Sequence, residues 1–316
     1  MAKFEVKKAV REKIFPKIAL IAPSGGGKTY SALRLATGMA EEIKELTGKE
    51  APILLANTEQ KRGYYYADEF SYDIVDVEAP HEPEKYVDLI NFAIESNYSI
   101  LIIDSSSHEW EGKGGCLELQ QRAGGTYQAW AKVTPRHSRY ISAIADSPLI
   151  IIATMRAKDQ YEVGKDEKGK VTVQKIGAGA KQRDGFEYEF TCTFMLDVKT
   201  NTAEVEKDNT HLFESAGPKL LTEEDGKRII KWANSGTTYT PPKRVIEPSE
   251  VEMEDQLASI KKEIITLCTE LGGTKNEQLM ETLKKFTKSG NPNAIHEVSA
   301  ATECLAAIKG VKPLAV

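Results

Sequence analysis

The sequence has few cysteines and no apolar run long enough to cross a membrane. Its cysteines are far apart and form no CxxC pair; they are Cys116, Cys192, Cys268 and Cys304. This spacing excludes a zinc ribbon and a thioredoxin-type motif, and scattered cysteines are typical of proteins in a reducing cytosol. The apolar runs reach only strand length, well below the ~20 residues that a transmembrane helix needs. We therefore expect neither a membrane span nor a membrane partner.

We expect no secretion signal, and the sequence has no excess of positive charge. Residues 1–15 mix charged and apolar side chains throughout and contain no continuous apolar segment of the kind found in signal peptides. Lys and Arg number 42 against 47 Asp and Glu, so the formal net charge is −5. This balance excludes a surface that is basic throughout, but it permits a local basic groove because net charge does not describe distribution. We expect a cytoplasmic protein.

Short apolar runs alternate with longer amphipathic stretches from Lys17 to about Asn234. The runs are bounded by polar or turn residues and are apolar on both faces; they cover residues 18–22, 52–56, 99–103 and 148–152. Such runs are typical of buried parallel strands. The stretches between them predict helices at 29–46, 83–96 and 134–146. This alternation predicts an α/β fold with a parallel central sheet covered by helices.

The pattern changes after the fourth apolar run, where two β-hairpins are predicted. In the first hairpin, residues 161–163 and 171–176 flank a charged turn, and in the second, residues 186–196 and 203–206 flank the turn at 199–202. A helix predicted over 220–233 then ends the domain. At 316 residues, the chain is long enough for one large domain and a smaller module.

A linker and a helical module are predicted after this domain. Residues 236–250 combine three prolines with Gly, Ser and Thr, a composition typical of linkers. Three amphipathic helices are predicted next: one over about 254–271, one that begins with the capping-box pattern Thr274–Glu277, and one that ends at Gly310. We therefore divide the chain into a core at 1–235, a linker at 236–250 and a C-terminal three-helix module at 251–316.

The clearest motif follows the first apolar run. The segment Ala22-Pro-Ser-Gly-Gly-Gly-Lys28-Thr29 lies between a predicted strand and a predicted helix, which is the context of a P-loop, although Ala22 replaces the first glycine of the pattern. The glycines let backbone N–H groups face phosphate oxygens, and the helix adds the positive end of its dipole. We expect the nucleotide to contact Pro23, Ser24, Gly25, Gly26, Gly27, Lys28, Thr29 and Tyr30.

An aspartate supplies the second half of the predicted site. Asp104 directly follows the apolar run 99–103, and ligands bind at the carboxyl ends of parallel strands in α/β sheets. Lys28 is expected to reach the β- and γ-phosphates, while the Thr29 hydroxyl and Asp104 hold Mg²⁺. The two motifs together predict a site for nucleotide phosphates and Mg²⁺.

Two glutamates compete for the role of the general base that activates water. Glu59 follows the run 52–56, and we expect that strand to lie beside the neighbour of the P-loop strand, with Glu59 near the γ-phosphate. Glu109 follows Asp104 in the stretch Asp104-Ser-Ser-Ser-His-Glu109. We favour Glu59 as the base, and Glu109 stays open as the alternative.

Other polar residues near the predicted strand ends carry weaker signals. Thr154 ends a strand and is a candidate sensor of the γ-phosphate, and the cations Arg156 and Lys158 follow it closely. The five histidines show no metal-ligand spacing, and we interpret them as surface or capping residues; they are His81, His108, His137, His211 and His296.

The order of these motifs resembles a RecA-type ATPase core. More closely, the chain resembles bacteriophage RecA-like ATPases of the Sak type, which are single-strand annealing recombinases. The matching stretches are Ala22–Thr29, Ile103–Trp110, Trp130–His137, Thr154–Lys158 and Gln182–Glu189, within a resemblance that covers roughly Lys17 to Asn234. The resemblance implies ATP and Mg²⁺ as cofactors, single-stranded DNA as partner, a homo-oligomer, and residence in the host bacterial cytoplasm.

In RecA-like assemblies, cations from a neighbouring subunit can complete the ATP site, as an arginine finger does. Lys181 and Arg183, in a cationic loop after the first hairpin, are our candidates for this role. Two loops are candidate DNA contacts, Lys113–Arg122 and Lys175–Arg183. Around the first lie Trp110, Tyr127 and Trp130, and aromatic stacking combined with cations is typical of single-strand binding.

Two other functions stay open. The acidic balance and the helical tail fit a helicase loader or another regulatory ATPase that acts through protein partners. The tail itself is a candidate to bind DNA, a single-strand DNA-binding protein or a neighbouring subunit. A P-loop kinase for small molecules is the third possibility, although the hairpins match a kinase lid poorly.

Overall fold

The computed structural model describes residues 8–165, 171–214, 216–236 and 250–311, but not the side chains of 159–165, 171–178 and 250–255. The chain forms two compact units, Met1–Ile246 and Glu247–Val316. The boundary between them falls within 236–250, where the linker is predicted, and residues 237–249 lie outside the described residues.

A mostly parallel sheet forms the centre of the first unit. Its strands are β1 (Lys17–Ala22), β2 (Ile53–Asn57), β3 (Asp73–Asp76), β4 (Ile100–Asp104), β5 (Ile150–Lys165), β6 (Val171–Ala180), β7 (Cys192–Leu196) and β8 (Ala203–Asp208). The spatial order is β3-β2-β4-β5-β1-β7-β8, and β6 pairs with β5. Only β6 and β8 are antiparallel to their neighbours among these strands. The predicted α/β fold with a central parallel sheet and β-hairpins is confirmed.

Helices cover both faces of this sheet. They are α1 (Lys28–Thr47), α2 (Pro83–Glu95), α3 (Ser107–Glu111), α4 (Cys116–Arg122), α5 (Trp130–Asp146) and α6 (Glu223–Ala233). Alternate strand residues enter two cores: Ile18 and Leu20 pack with α1 and α6, whereas Ala19 and Ile21 pack with α2 and α5. This alternation follows from the two-residue repeat of a strand, so each buried strand must be apolar on both faces.

Helices α1 and α6 approach each other closely enough to require glycine. A Cβ atom at Gly38 would lie 1.8 Å from the carbonyl oxygen of Glu223, and one at Gly226 would lie 2.2 Å from that of Leu35. Arg34 and Glu223 add a bidentate ion pair between the same helices, with Nη2 to Oε2 at 2.7 Å. The end of the first unit is therefore packed directly against the helix that follows the P-loop.

Three details differ from the sequence prediction. Residues Phe186–Glu189, predicted as the start of a strand, form a 3₁₀ helix after Gly185, whose φ of +92° turns the backbone. The first hairpin is not separate from the fourth buried strand, because β5 continues through both; residues 166–170, which belong to the predicted turn, lie outside the described residues. The edge strand β3 was missed because it is only half-buried and short.

The second unit has its own core. Its helices are α7 (Glu250–Glu270), α8 (Glu277–Lys284) and α9 (Val298–Lys309), and residues such as Ile264, Leu283 and Ile308 pack between them. The predicted Thr274 capping box is wrong: Asn276 caps α8 by accepting from the Leu279 amide at 3.1 Å. Within the described parts of both units, no helix is both long enough and apolar enough to cross a membrane.

Candidate nucleotide-binding site

The P-loop connects β1 to α1 through backbone conformations that favour glycine. Gly25 has φ +84° and Gly27 has φ +74°, the left-handed region that other residues rarely adopt. A Cβ atom at Gly26 would lie 2.6 Å from the Cβ of Ala22, so the turn also depends on close backbone approach. Gly27 is the N-cap of α1, which places the free amides of the first turn at the loop.

Lys28 lies inside this loop. Its Nζ donates to the carbonyl oxygens of Ala22 at 2.9 Å and of Pro23 at 3.0 Å. Burial lowers the pKa of Lys28, and the carboxylates of Asp104 and Glu59 partly oppose that shift. The amine is therefore held in place by the loop carbonyls, close to where phosphate oxygens would bind.

Asp104 lies at the carboxyl end of β4 and joins two hydroxyls. It accepts a hydrogen bond from Thr29 Oγ1 at 2.6 Å on one carboxylate oxygen and from Thr154 Oγ1 on the other. Carboxylate and hydroxyl oxygens are the hard donors that Mg²⁺ prefers, and Asp104 is almost fully buried. Thr29 and Asp104 therefore fit the predicted Mg²⁺ site, and Thr154 contacts the same carboxylate.

Glu59 reaches the same place from another strand. Glu59 follows β2, which pairs with β4. Both β4 and β5 lie between β2 and the P-loop strand β1, so β2 is one strand further from β1 than expected. Its Oε1 accepts from Arg156 Nε at 3.1 Å and Nη2 at 2.7 Å, and its Oε2 lies 3.5 Å from Arg62 Nη1. Burial alone would raise the pKa of Glu59, but the Arg156 hydrogen bonds and charge outweigh burial and leave the pKa below its ordinary value.

Lys28, Thr29, Glu59 and Asp104 line one cleft with a volume of about 600 Å³, whereas Thr154 is fully buried and is not part of the lining. We call it the nucleotide cleft; its lining includes Ser24, Gly25, Gly27, Lys28, Thr29, Tyr30, Glu59, Asp104 and Arg156. Pro23 and Gly26 are not part of the lining, and they contact each other through the Gly26 amide and the Pro23 carbonyl at 3.2 Å.

The cleft also contains residues to which the sequence pattern assigns no role. They are Ser31, Arg34, Arg62, Tyr65, Tyr66, Asn201, Leu220 and Leu221. Arg62 could have been predicted from the sequence, because it follows Glu59 by three residues and a helical turn brings such residues together. Asn201 could not have been predicted, because only the fold brings the turn between β7 and β8 against Gly27.

Glu109 lies outside the nucleotide cleft and is fully buried. Its carboxylate accepts from Cys116 Sγ at 3.0 Å and Gln182 Nε2 at 3.1 Å, and contacts His137 Nδ1 at 3.0 Å. We call these four residues the Glu109 cluster. Burial, and next the charge of Glu109, raise the pKa of the Cys116 thiol, so Cys116 stays protonated and donates.

The Glu109 cluster corrects our interpretation of the histidines. His137 is completely buried and His81 nearly so, whereas we expected surface or capping positions. Glu109, Cys116 and His137 each place one potential metal-ligand atom within 4.8 Å of the others. No sequence spacing could have revealed this group, because its three residues lie on three different helices.

The two predicted trans-acting cations lie at the base of the first hairpin. Lys181 Nζ is 3.4 Å from Glu111 Oε2, and the Arg183 amide donates to the Gln182 side chain at 2.9 Å. Neither residue lines the nucleotide cleft of its own chain. Of the two candidate DNA loops, the side chains of 175–178 lie outside the described residues.

The aromatic residues around the first DNA loop divide into two kinds. Trp110 and Trp130 are half-buried and stack on each other, with ring centroids 5.3 Å apart. Tyr127, in contrast, is 87 % exposed, and Lys113 and Arg122 are exposed on the same segment. The segment therefore combines a free aromatic face with cations.

A glycine-rich loop that opens a helix, a neighbouring hydroxyl and an aspartate at a strand end together define a P-loop NTPase core. The family model described as an AAA domain (AAA_24) matches residues 14–240, and the chain belongs to this family of P-loop ATPases. Its match ends close to the boundary predicted for the core. A comparison with curated proteins finds no significant match.

Proposed function

We propose that the protein binds and hydrolyses ATP as a homo-oligomer on single-stranded DNA and promotes strand annealing or exchange, as Sak-type phage recombinases do. The nucleotide cleft supports the ATPase part, in agreement with the family. The observation that most favours a DNA partner is that Lys113, Arg122 and Tyr127 are exposed on the segment that follows the Asp104 strand and α3. This proposal places the protein in the cytoplasm of a bacterial host.

The cleft residues divide the chemistry of hydrolysis. Lys28 would hold the β- and γ-phosphates, because its ammonium is aimed at the loop that surrounds them. Thr29 and Asp104 would hold Mg²⁺, which neutralises charge on the phosphates when bound. Glu59 is the candidate that accepts the proton of the attacking water, because it combines a carboxylate with access to the cleft. Thr154 keeps the Asp104 carboxylate oriented through its hydroxyl.

Lys181 and Arg183 are proposed to act on a neighbouring subunit. They are half-buried at the edge of the core and do not reach the cleft of their own chain. A cation that completes the site only between subunits would make hydrolysis depend on assembly. DNA that gathers subunits would then stimulate ATP turnover.

The DNA proposal is tested by measuring ATP turnover with and without single-stranded DNA. We expect stimulation in the native chain, its loss in Tyr127→Ala because a base can no longer stack there, and no change in Phe92→Ala, an exposed aromatic control on α2. If single-stranded DNA does not change the rate of ATP turnover by the native chain, and the chain does not bind DNA at low salt, the proposal is contradicted.

A regulatory ATPase that acts through protein partners is the second candidate. The compact second unit with its own core favours it, because such a unit can serve as a separate binding module. Capture of a single-strand DNA-binding protein or a helicase by the full chain, lost when residues 250–316 are removed, would favour this function. Retention of the partner by the shortened chain would count against it.

A further inference from the structure

Arg156 lines the nucleotide cleft, and none of the predicted roles belongs to it. It ends the parallel pairing of β5 with β1, where it lies opposite Ala22 at the start of the P-loop. From there its guanidinium extends into the cleft that Lys28 and Asp104 also line. The charge of Arg156 is close enough to lower the pKa of Lys28, although burial is the larger cause.

The backbone of Arg156 is fixed on both sides. Its amide donates to Ser107 Oγ at 2.9 Å, and its carbonyl accepts from the Lys181 amide at 2.6 Å. The side chain is about one-third exposed, at 35 %. A fixed backbone with a partly exposed side chain allows the guanidinium to change partners without moving the strand.

Both present partners of the guanidinium are carboxylates. It donates twice to Glu59, and its Nη1 lies 3.7 Å from Glu111 Oε1. A guanidinium binds carboxylate and phosphate in the same planar, two-pronged geometry, and a terminal phosphate has the higher charge. A γ-phosphate held by Lys28 would therefore compete with Glu59 for Arg156.

We propose that Arg156 is a catalytic residue that exchanges partners, holding Glu59 before ATP binds and the γ-phosphate afterwards, so that Glu59 is released to act as the base. This inference rests on the proposed ATPase function. In the step itself, the water oxygen bonds to the γ-phosphorus, the bond from that phosphorus to the β–γ bridging oxygen breaks, and ADP leaves with its electron pair. Glu59 receives the water proton, while Arg156 stabilises the charge on the γ-phosphoryl oxygens.

The exchange also has a consequence beyond the cleft. Glu111 contacts both Arg156 and Lys181, at 3.7 Å and 3.4 Å. When the Arg156 guanidinium moves to the phosphate, Glu111 loses its contact with Arg156 and retains its contact with Lys181. Since Lys181 follows β6 directly, the base of the hairpin would sense whether the γ-phosphate is present.

The test compares the affinities of two nucleotides, ADP and a non-hydrolysable ATP analogue, for the native chain and for Arg156→Gln. We expect the variant to bind the analogue at least about tenfold more weakly, because charge-assisted hydrogen bonds to the γ-phosphate are lost, and to bind ADP as the native chain does. Lys158→Gln is the matched control, since Lys158 is on the same strand and pairs with the exposed Asp184 at 3.1 Å; both affinities should stay unchanged.

Arg156→Lys keeps the positive charge but loses the bidentate geometry of the guanidinium, so it should recover part of the lost affinity for the analogue. Equal weakening of ADP and analogue by Arg156→Gln, with native affinity for both in Arg156→Lys, would overturn the exchange and leave the ATPase proposal intact. Failure of the native chain to bind either nucleotide would overturn the proposed function itself.

Discussion

Glu59 and Glu109 follow neighbouring strands of the same sheet and have opposite surroundings. Glu59 lines the nucleotide cleft, and its close partners are the cations Arg156 and Arg62. Glu109 is sealed in the interior, where a thiol, an amide and an imidazole surround its carboxylate. A base must be reachable by water, and of these two glutamates only Glu59 satisfies this condition.

The difference also assigns a role to Glu109. Its contacts join α3, α4 and α5 to Gln182 at the base of the hairpin, and Gln182 donates in addition to the Ser106 carbonyl at 3.2 Å. A buried carboxylate is stable only when donors satisfy its oxygens, so these segments must keep their relative positions. Glu109 thus supports the segment after the Asp104 strand without entering the cleft.

The largest expected effect separates the two glutamates by activity. Glu59→Gln removes the proton acceptor but keeps the size of the side chain, so kcat for ATP should fall by about 10²–10⁴-fold. ADP affinity and the free energy of unfolding should stay close to native values. Steady-state ATP turnover, nucleotide titration and urea unfolding measure these quantities. A native kcat in this variant would remove Glu59 from the chemistry.

The second-largest expected effect is on stability, where Glu109 rather than Glu59 matters. Glu109→Gln leaves one of three buried donors without its acceptor and should lower the free energy of unfolding by about 2 kcal/mol. Glu95→Gln, at an exposed position on α2, is the matched control and should change it little. Urea unfolding measures both variants. A Glu109→Gln variant as stable as the native chain would mean that the cluster does not hold these segments together.

The pH dependence of kcat/KM tests whether Arg156 lowers the pKa of Glu59. Arg156 keeps the pKa of Glu59 low against the opposing effect of burial, with smaller help from His108 and Arg62. Glu59 accepts a proton only as a carboxylate, so activity is lost as pH falls through its pKa. In Arg156→Gln the pKa should rise, and the acid limb of kcat/KM should move to higher pH. An unmoved limb would show that another group titrates there.

The smallest effect concerns the thiol of the Glu109 cluster. Cys116→Ala removes one donor to a buried carboxylate and should lower the free energy of unfolding by about 1 kcal/mol, with kcat unchanged. Cys268→Ala, at a half-buried position in the second unit, provides the control for cysteine removal. A large loss of kcat in Cys116→Ala would indicate that the cluster takes part in the reaction.

The sequence predicted the parts of the site that depend on local order. The P-loop and Asp104 are recognised because a strand, a turn and a helix follow one another within a few residues, and the buried strands are visible as short continuous apolar runs. The Glu109 cluster could not be predicted, since its members are separated by up to 73 residues and meet only through packing. Three stretches that carry the family resemblance contain Glu109, His137 and Gln182, and folding brings all three together.

The most direct test is a single-turnover experiment, in which excess protein is mixed with labelled ATP and quenched at intervals, for Glu59→Gln and Glu109→Gln side by side. At a temperature where both variants are folded, Glu109→Gln should cleave its bound ATP, while Glu59→Gln should retain intact ATP at the same occupancy. Rapid cleavage by Glu59→Gln with none by Glu109→Gln would contradict the assignment of the base.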